Sequence, residues 1–144
     1  MRLILDAGPM IAQVQPKHPH RVASRRVLDY EREPSILSPF IATEVDFFLQ
    51  ELRGPKGNVG FLRDLASARF EVPTFEPSDF KVIAALNQQY ADLGAGLADL
   101  SIVVLAQRYR TTRILTLDQR HFRTLKPLQG GTFVLLPFDD DTDS

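Results

Sequence analysis

Leu3-Ile4-Leu5-Asp6 near one end of the chain and Ile114-Leu115-Thr116-Leu117-Asp118 near the other share one pattern: a short apolar run that stops on an aspartate. Each reads as a buried strand followed by a turn. In an open α/β sheet the ligand crevice lies beyond the carboxyl ends of the strands. If both strands are central and parallel, Asp6 and Asp118 point into that crevice together. Taken singly, each is also what a loop aspartate looks like when it makes a turn or caps the next helix.

Working outward from these runs, strands alternate with helical stretches. Asp6-Ala7-Gly8-Pro9 turns into a helix beginning near Pro9. A helical stretch from about His20 to Arg32 turns Val22, Val27 and Leu28 inward, and the strand Ser35-Ile36-Leu37 follows. Ser38-Pro39 then supplies an N-cap and a proline at the first helical position. The helix it opens runs to Arg53 with Ile41, Val45, Phe48, Leu49 and Leu52 on one face, and Gly54-Pro55-Lys56-Gly57 ends it. Further helices are expected over about 58–68 (Val59, Leu62, Leu65 and Ala66 inward), 77–93 (Phe80, Ile83, Leu86 and Tyr90 inward) and 98–109. Short strands are expected at 70–75, interrupted by Pro73, and at 132–136. This order argues for an α/β sandwich around a mostly parallel sheet.

Composition narrows the class. The 144 residues make one domain, large enough to bury a core without staples. Hydrophobic residues are 44% and charged residues 24%, as in ordinary globular proteins. The absence of cysteine removes disulfide frameworks, thiolate zinc sites and cysteine nucleophiles. No apolar run approaches the roughly 18 residues of a membrane span. A soluble, cytoplasmic protein is expected. Residues 1–138 read as the folded domain and 139–144, with four aspartates, as a disordered acidic tail.

Two further carboxylates stand out. Glu44 falls among Ile41, Val45 and Phe48, on the stripe expected to face the core. A buried carboxylate there must be paired, protonated or on a metal; pairing with an arginine at the core edge is the competing reading. Asp46 lies nearly opposite and reads as solvent-facing. Asp99 opens the helix that carries Ile102, Val103 and Ala106, where an aspartate also simply meets the helix dipole. If Asp6, Glu44, Asp99 and Asp118 converge, their repulsion calls for protonation or a cation. Oxygen ligands without cysteine select a hard ion, Mg²⁺ or Mn²⁺, suited to phosphodiester hydrolysis.

The net charge of −1 conceals a basic stretch: Arg108, Arg110, Arg113, Arg120, Arg123 and Lys126 face only Asp118 between Leu105 and Pro127. These are candidates for binding phosphates, or else a solvated helix face. His18 and His20 read as surface residues. His121, three positions after Asp118, would reach the pocket edge but is given no role. No P-loop or Gly-x-Gly-x-x-Gly motif is present.

An early strand ending in Asp6, the Ser-Pro-x-x-x-x-Glu helix from Ser38 to Glu44, Gly96-Leu97-Ala98-Asp99, and Thr116-Leu117-Asp118 followed by Phe122 together resemble the PIN domain, and more narrowly the VapC-type toxins of bacterial toxin–antitoxin modules. The resemblance covers Leu3 to about Pro137. It implies a three-layer αβα sandwich and an Mg²⁺- or Mn²⁺-dependent endoribonuclease that cuts structured RNA such as tRNA or rRNA with metal-activated water. It also implies a cognate VapB-type antitoxin and a homodimer. Carried over, Asp6, Glu44, Asp99 and Asp118 are the catalytic, metal-holding acids, and Thr116 supports Asp118. A PIN-like module that binds RNA or protein without cutting is the alternative, and a DNA nuclease of the same chemistry a third.

Overall fold

The computed structural model describes residues 1–141. Five strands, β1 (Ile4–Leu5), β2 (Ser35–Leu37), β3 (Phe70–Glu71), β4 (Arg113–Leu115) and β5 (Val134–Leu136), form one sheet in the order β3-β2-β1-β4-β5. All four pairings are parallel. Parallel strands need long crossovers, and helices supply them. Helices α1 (Ala7–Ala12) and α2 (Arg21–Tyr30) link β1 to β2, and α3 (Pro39–Arg53) with α4 (Val59–Ala66) leads to β3. Helices α5 (Pro77–Gln89) and α6 (Leu97–Arg108) lead to β4, and α7 (Gln119–Thr124) to β5.

The strands are short but dry. Ile4, Leu5, Ile36, Leu37, Ile114 and Leu115 are completely buried, as expected of a sheet covered on both faces. Strand β1 is where the order reverses, with β2 on one side and β4 on the other. A crevice therefore opens beyond the carboxyl ends of β1 and β4. Helix α6 is the most enclosed helix: every residue from Leu100 to Ala106 is buried. It packs on α3, α5 and β1, which fixes its first turn, and Asp99 with it, over the crevice. Helix α3 begins as its sequence predicts, with the Ser38 hydroxyl accepting from Phe40 N–H (3.2 Å) and proline at its start.

The helix faces differ from the expected ones. The inward stripe of α3 is Ile41, Val45 and Leu49, leaving Phe48 and Leu52 exposed. Helix α4 turns Phe61 inward instead of Val59 and Leu62, and Val22 and Phe80 are also exposed. These helices carry more apolar residues than the core has room to cover, so periodicity alone marks too broad a stripe. Helix α7 forms where no helix is expected. Its six residues are too few for a periodic signal, and it rests on the Asp118 N-cap.

Two arginines tie the acidic end into the fold. Arg113, only 3% exposed, donates to the Met1 carbonyl (2.7 Å), Glu31 Oε1 (2.6 Å) and both carboxylate oxygens of Asp141 (2.9 and 2.8 Å). Arg123 clasps Asp139 (2.7 and 2.8 Å), which also accepts from Leu135 N–H. Within the acidic tail expected over residues 139–144, Asp139 and Asp141 therefore each pair with an arginine of the body. The tail's remainder, residues 142–144, lies outside the described residues. Among those described, no helix is long and apolar enough to cross a membrane.

Truncating Arg113 removes a buried guanidinium from between the Glu31 and Asp141 carboxylates. Arg113→Met is expected to lower stability by about 2–3 kcal/mol, less than a fully enclosed pair would lose because Asp141 is partly solvated. Urea denaturation checks this, and an unchanged midpoint would contradict it.

Candidate metal centre and active site

The two aspartate-terminated runs meet as the sequence suggests. Register pairs Ile4 with Ile114 and Leu5 with Leu115, so the next residues along, Asp6 and Thr116, are lateral neighbours. Asp6 N–H donates to Leu115 O (2.9 Å), continuing the ladder by one step. The Thr116 hydroxyl then donates to Asp6 Oδ2 (2.6 Å) and accepts from Asp118 N–H (2.9 Å). Asp6 Oδ1 accepts from Ala7 N–H (2.8 Å), which caps α1. Asp118 caps α7 by accepting from His121 N–H (3.0 Å) at Oδ1.

Asp99 arrives from the first turn of α6. That turn is pinned to the start of α3 by a pair of buried hydroxyls. Ser101 Oγ donates to Ala98 O (2.6 Å) and accepts from Ser38 Oγ at 2.7 Å. Glu44 reaches the same place from the second turn of α3. Asp6, Glu44, Asp99 and Asp118 all line one open cavity of about 750 Å³, together with Gly8, Phe48, Leu117 and Arg120.

Glu44 gets there differently from the sequence reading. It lies beside the core stripe, about 100° round the helix from Val45, on the exposed wall of the cavity. Asp46, expected in solvent, is half-buried and accepts from Asn58 Nδ2 (2.5 Å).

The electrostatics follow from this crowding. Burial pushes the Asp6 carboxyl up to about 6, with Asp99 and Asp118 adding to the rise and the Thr116 and Ala7 hydrogen bonds opposing it. Burial also raises Glu44, helped by Asp6 and Asp99. Asp99 is raised by burial and by Asp118, against a lowering contribution from His121. A divalent cation in the cavity would oppose the net rise at all three carboxyls, because its charge favours their ionised forms. The donor set fits such an ion: carboxylate oxygens, one imidazole and no thiolate.

His121 is the residue that the sequence reading left without a role. Its Nδ1 lies 2.7 Å from Asp99 Oδ2 and 2.9 Å from Asp118 Oδ2. The clue was its place three residues after a capping aspartate, which returns the side chain to the helix start.

The expected basic rim divides. Arg120 lines the cavity. Arg123 is occupied by Asp139, and Lys126 Nζ donates to Arg123 O (3.2 Å). Arg108 sits at the far end of α6, about 14 Å along the helix from Asp99, and donates to Thr74 O and Asp79. Arg110 follows it in a left-handed conformation (φ 52°). Arg113 is buried at the start of β4, the end away from the cavity, and its pairing with Glu31 and Asp141 removes it from any phosphate grip.

This fold with an acidic cup at the switch point of its sheet defines a PIN-domain protein. No family model matches the sequence. It is 33% identical over 135 residues, 94% of this chain and 100% of the relative, to Ribonuclease VapC26 of Mycobacterium tuberculosis. The chain belongs to the VapC family of toxin ribonucleases. Solved structures with the same fold include Mycobacterium tuberculosis VapC20, a sarcin–ricin loop cleaving toxin, with a TM-score of 0.73 at 10% identity over 81% of this chain and 89% of that one. A toxin–antitoxin complex from Klebsiella pneumoniae gives 0.64 at 17% identity, covering 85% and 92%. VapBC2 of Rickettsia felis, bound to a DNA fragment from its promoter, gives 0.63 at 17%, covering 94% and 97%.

With its pKa raised from 3.8 to about 6 in the fold, Asp6 contributes its full stability only below pH 4, and loses it as pH rises through 6. In EDTA, Asp6→Asn, which keeps an oxygen for Ala7 N–H, is expected to unfold later than wild type at pH 8. The gain is at most on the order of 3 kcal/mol and shrinks toward pH 4. Denaturant midpoints across pH check this; a difference independent of pH would contradict it.

Proposed function

We propose that the protein is the toxin of a type II toxin–antitoxin system: an Mg²⁺- or Mn²⁺-dependent endoribonuclease that hydrolyses phosphodiesters in structured RNA such as tRNA or rRNA. The observation that carries this reading is the convergence of Asp6, Glu44, Asp99 and Asp118 on one solvent-open cavity. Residues 1–138 would form the nuclease domain, working in the cytoplasm as a homodimer held in check by a cognate VapB-type antitoxin. The Klebsiella and Rickettsia structures, as toxin–antitoxin assemblies, support such a partner.

Asp6, Asp99 and Asp118 would hold the ion, with Glu44 completing the set from the cavity wall. When bound, the ion supplies charge neutralisation at a phosphoryl oxygen and makes a water molecule more acidic. The protein supplies the rest. Thr116 ties the Asp6 carboxylate to the Asp118 backbone, so Asp6 keeps its direction relative to the start of the Asp118 turn without reorganising. The Ser38–Ser101 contact holds Asp99 at its height above the sheet. Glu44, whose pKa is raised, is the acid best placed to take a proton from the attacking water. Arg120 offers its guanidinium to a phosphate flanking the scissile one. Phe48, exposed at the rim, offers a face on which a base can stack.

Purified wild type incubated with total RNA and Mg²⁺ or Mn²⁺ is expected to give discrete fragments, and none in EDTA. Asp99→Asn removes several kcal/mol of transition-state stabilisation and is expected to cut roughly a thousandfold more slowly while keeping a wild-type circular dichroism spectrum. Asp99→Asn cleaving at the wild-type rate would overturn the assignment. Thr116→Val, which leaves the carboxylates in place but unsupported, is expected to lose roughly ten- to a hundredfold in activity.

A further inference from the structure

His121 stands outside the four-acid set, yet its ring touches two of the four acids. Its Nδ1 is 2.7 Å from Asp99 Oδ2 and 2.9 Å from Asp118 Oδ2, and a ligand atom from each of the three residues lies within 4.8 Å of the others. Neighbouring ligands on an octahedral ion at 2.0–2.1 Å stand about 3 Å apart. The two measured separations therefore match the edges of a coordination octahedron.

The placement of the ring is fixed from behind. The His121 backbone N–H donates to Asp118 Oδ1, which sets the turn that carries the ring, and ring Nε2 faces Arg120 Nη1 at 3.4 Å. Nδ1 is thus the nitrogen turned toward the acids. A neutral imidazole carries at most one proton there, enough for one of the two carboxylates it touches. A cation placed among the three atoms satisfies all of them at once.

We propose that His121 Nδ1 is a direct donor to the divalent ion, making this a mixed oxygen–nitrogen site that favours Mn²⁺ over Mg²⁺. The inference rests on the metal-dependent reading above. Imidazole suits first-row transition ions, whereas Mg²⁺ is best served by oxygen alone. Replacing an oxygen donor by nitrogen therefore shifts selectivity without altering the acids. The competing arrangement is a ring that only hydrogen-bonds to carboxylates already on the metal.

The two differ spectroscopically. Mn²⁺ bound to the full-length protein is expected to show nitrogen modulation in its electron spin echo spectrum. His121→Asn keeps a hydrogen-bond donor for the carboxylates but offers a metal only an amide oxygen. In that variant the nitrogen signal is expected to vanish. By calorimetry its Mn²⁺ affinity should fall roughly tenfold or more while Mg²⁺ affinity changes much less. Mn²⁺ that binds in an Asp99-dependent way but shows no nitrogen coupling would overturn the His121 assignment and leave the nuclease reading standing. Absence of any Asp99-dependent Mn²⁺ binding would overturn both.

Discussion

One hydroxyl organises the acidic end of this molecule. Thr116 stands where β4 leaves the sheet, beside Asp6 where β1 leaves it, and it donates to one aspartate's carboxylate while accepting from the other's backbone. That role needs the parallel register of β1 and β4, because only there do the two residues fall side by side. It also needs both strands to be buried, since in water a threonine hydroxyl would be satisfied by solvent. The completely buried Ile4, Leu5, Ile114 and Leu115 meet that condition. A second pair of hydroxyls, Ser38 and Ser101, does for α3 and α6 what Thr116 does for the strands.

The charges are sorted by the same architecture. Acids that find no cation collect beyond the strand ends, where burial and mutual repulsion raise Asp6, Glu44 and Asp99. Basic residues farther away have found partners: Arg108 with Asp79, Arg113 with Glu31 and Asp141, Arg123 with Asp139. Arg120 is the arginine that the cavity itself presents. The result is a pocket with a strong demand for positive charge, beside body charges that are already committed.

The mostly parallel sheet, and Asp6, Glu44, Asp99 and Asp118 as the acids to follow, were within reach of the sequence, because each rests on local signals. Short apolar runs ending in aspartate, a Ser-Pro helix start and an acid in a helix's first turn survive folding unchanged. What depended on the rest of the molecule was harder to read. Phe48 and Leu52 belong to the same helical period as Ile41, Val45 and Leu49, and only the limited size of the core decides which are covered. Arg113 looked like a surface cation, because pairing with Glu31 and Asp141 across the chain leaves no mark in its own neighbourhood. Asp46 and Glu44, two positions apart, exchanged their expected surroundings for the same reason. His121 needed a six-residue helix too short to announce itself.

Arg113 gathers the Met1 carbonyl and Asp141 at the beginning of β4, whereas the acids open beyond the ends of β1 and β4. The two extremities of the described chain therefore share one pole of the molecule, and the acidic cavity occupies the other. An anchor or reporter placed beside Met1 or Asp141 sits on the far side from the acidic cavity. Immobilised through such a handle, the protein would present its acidic cavity outward, open to whatever approaches from solution.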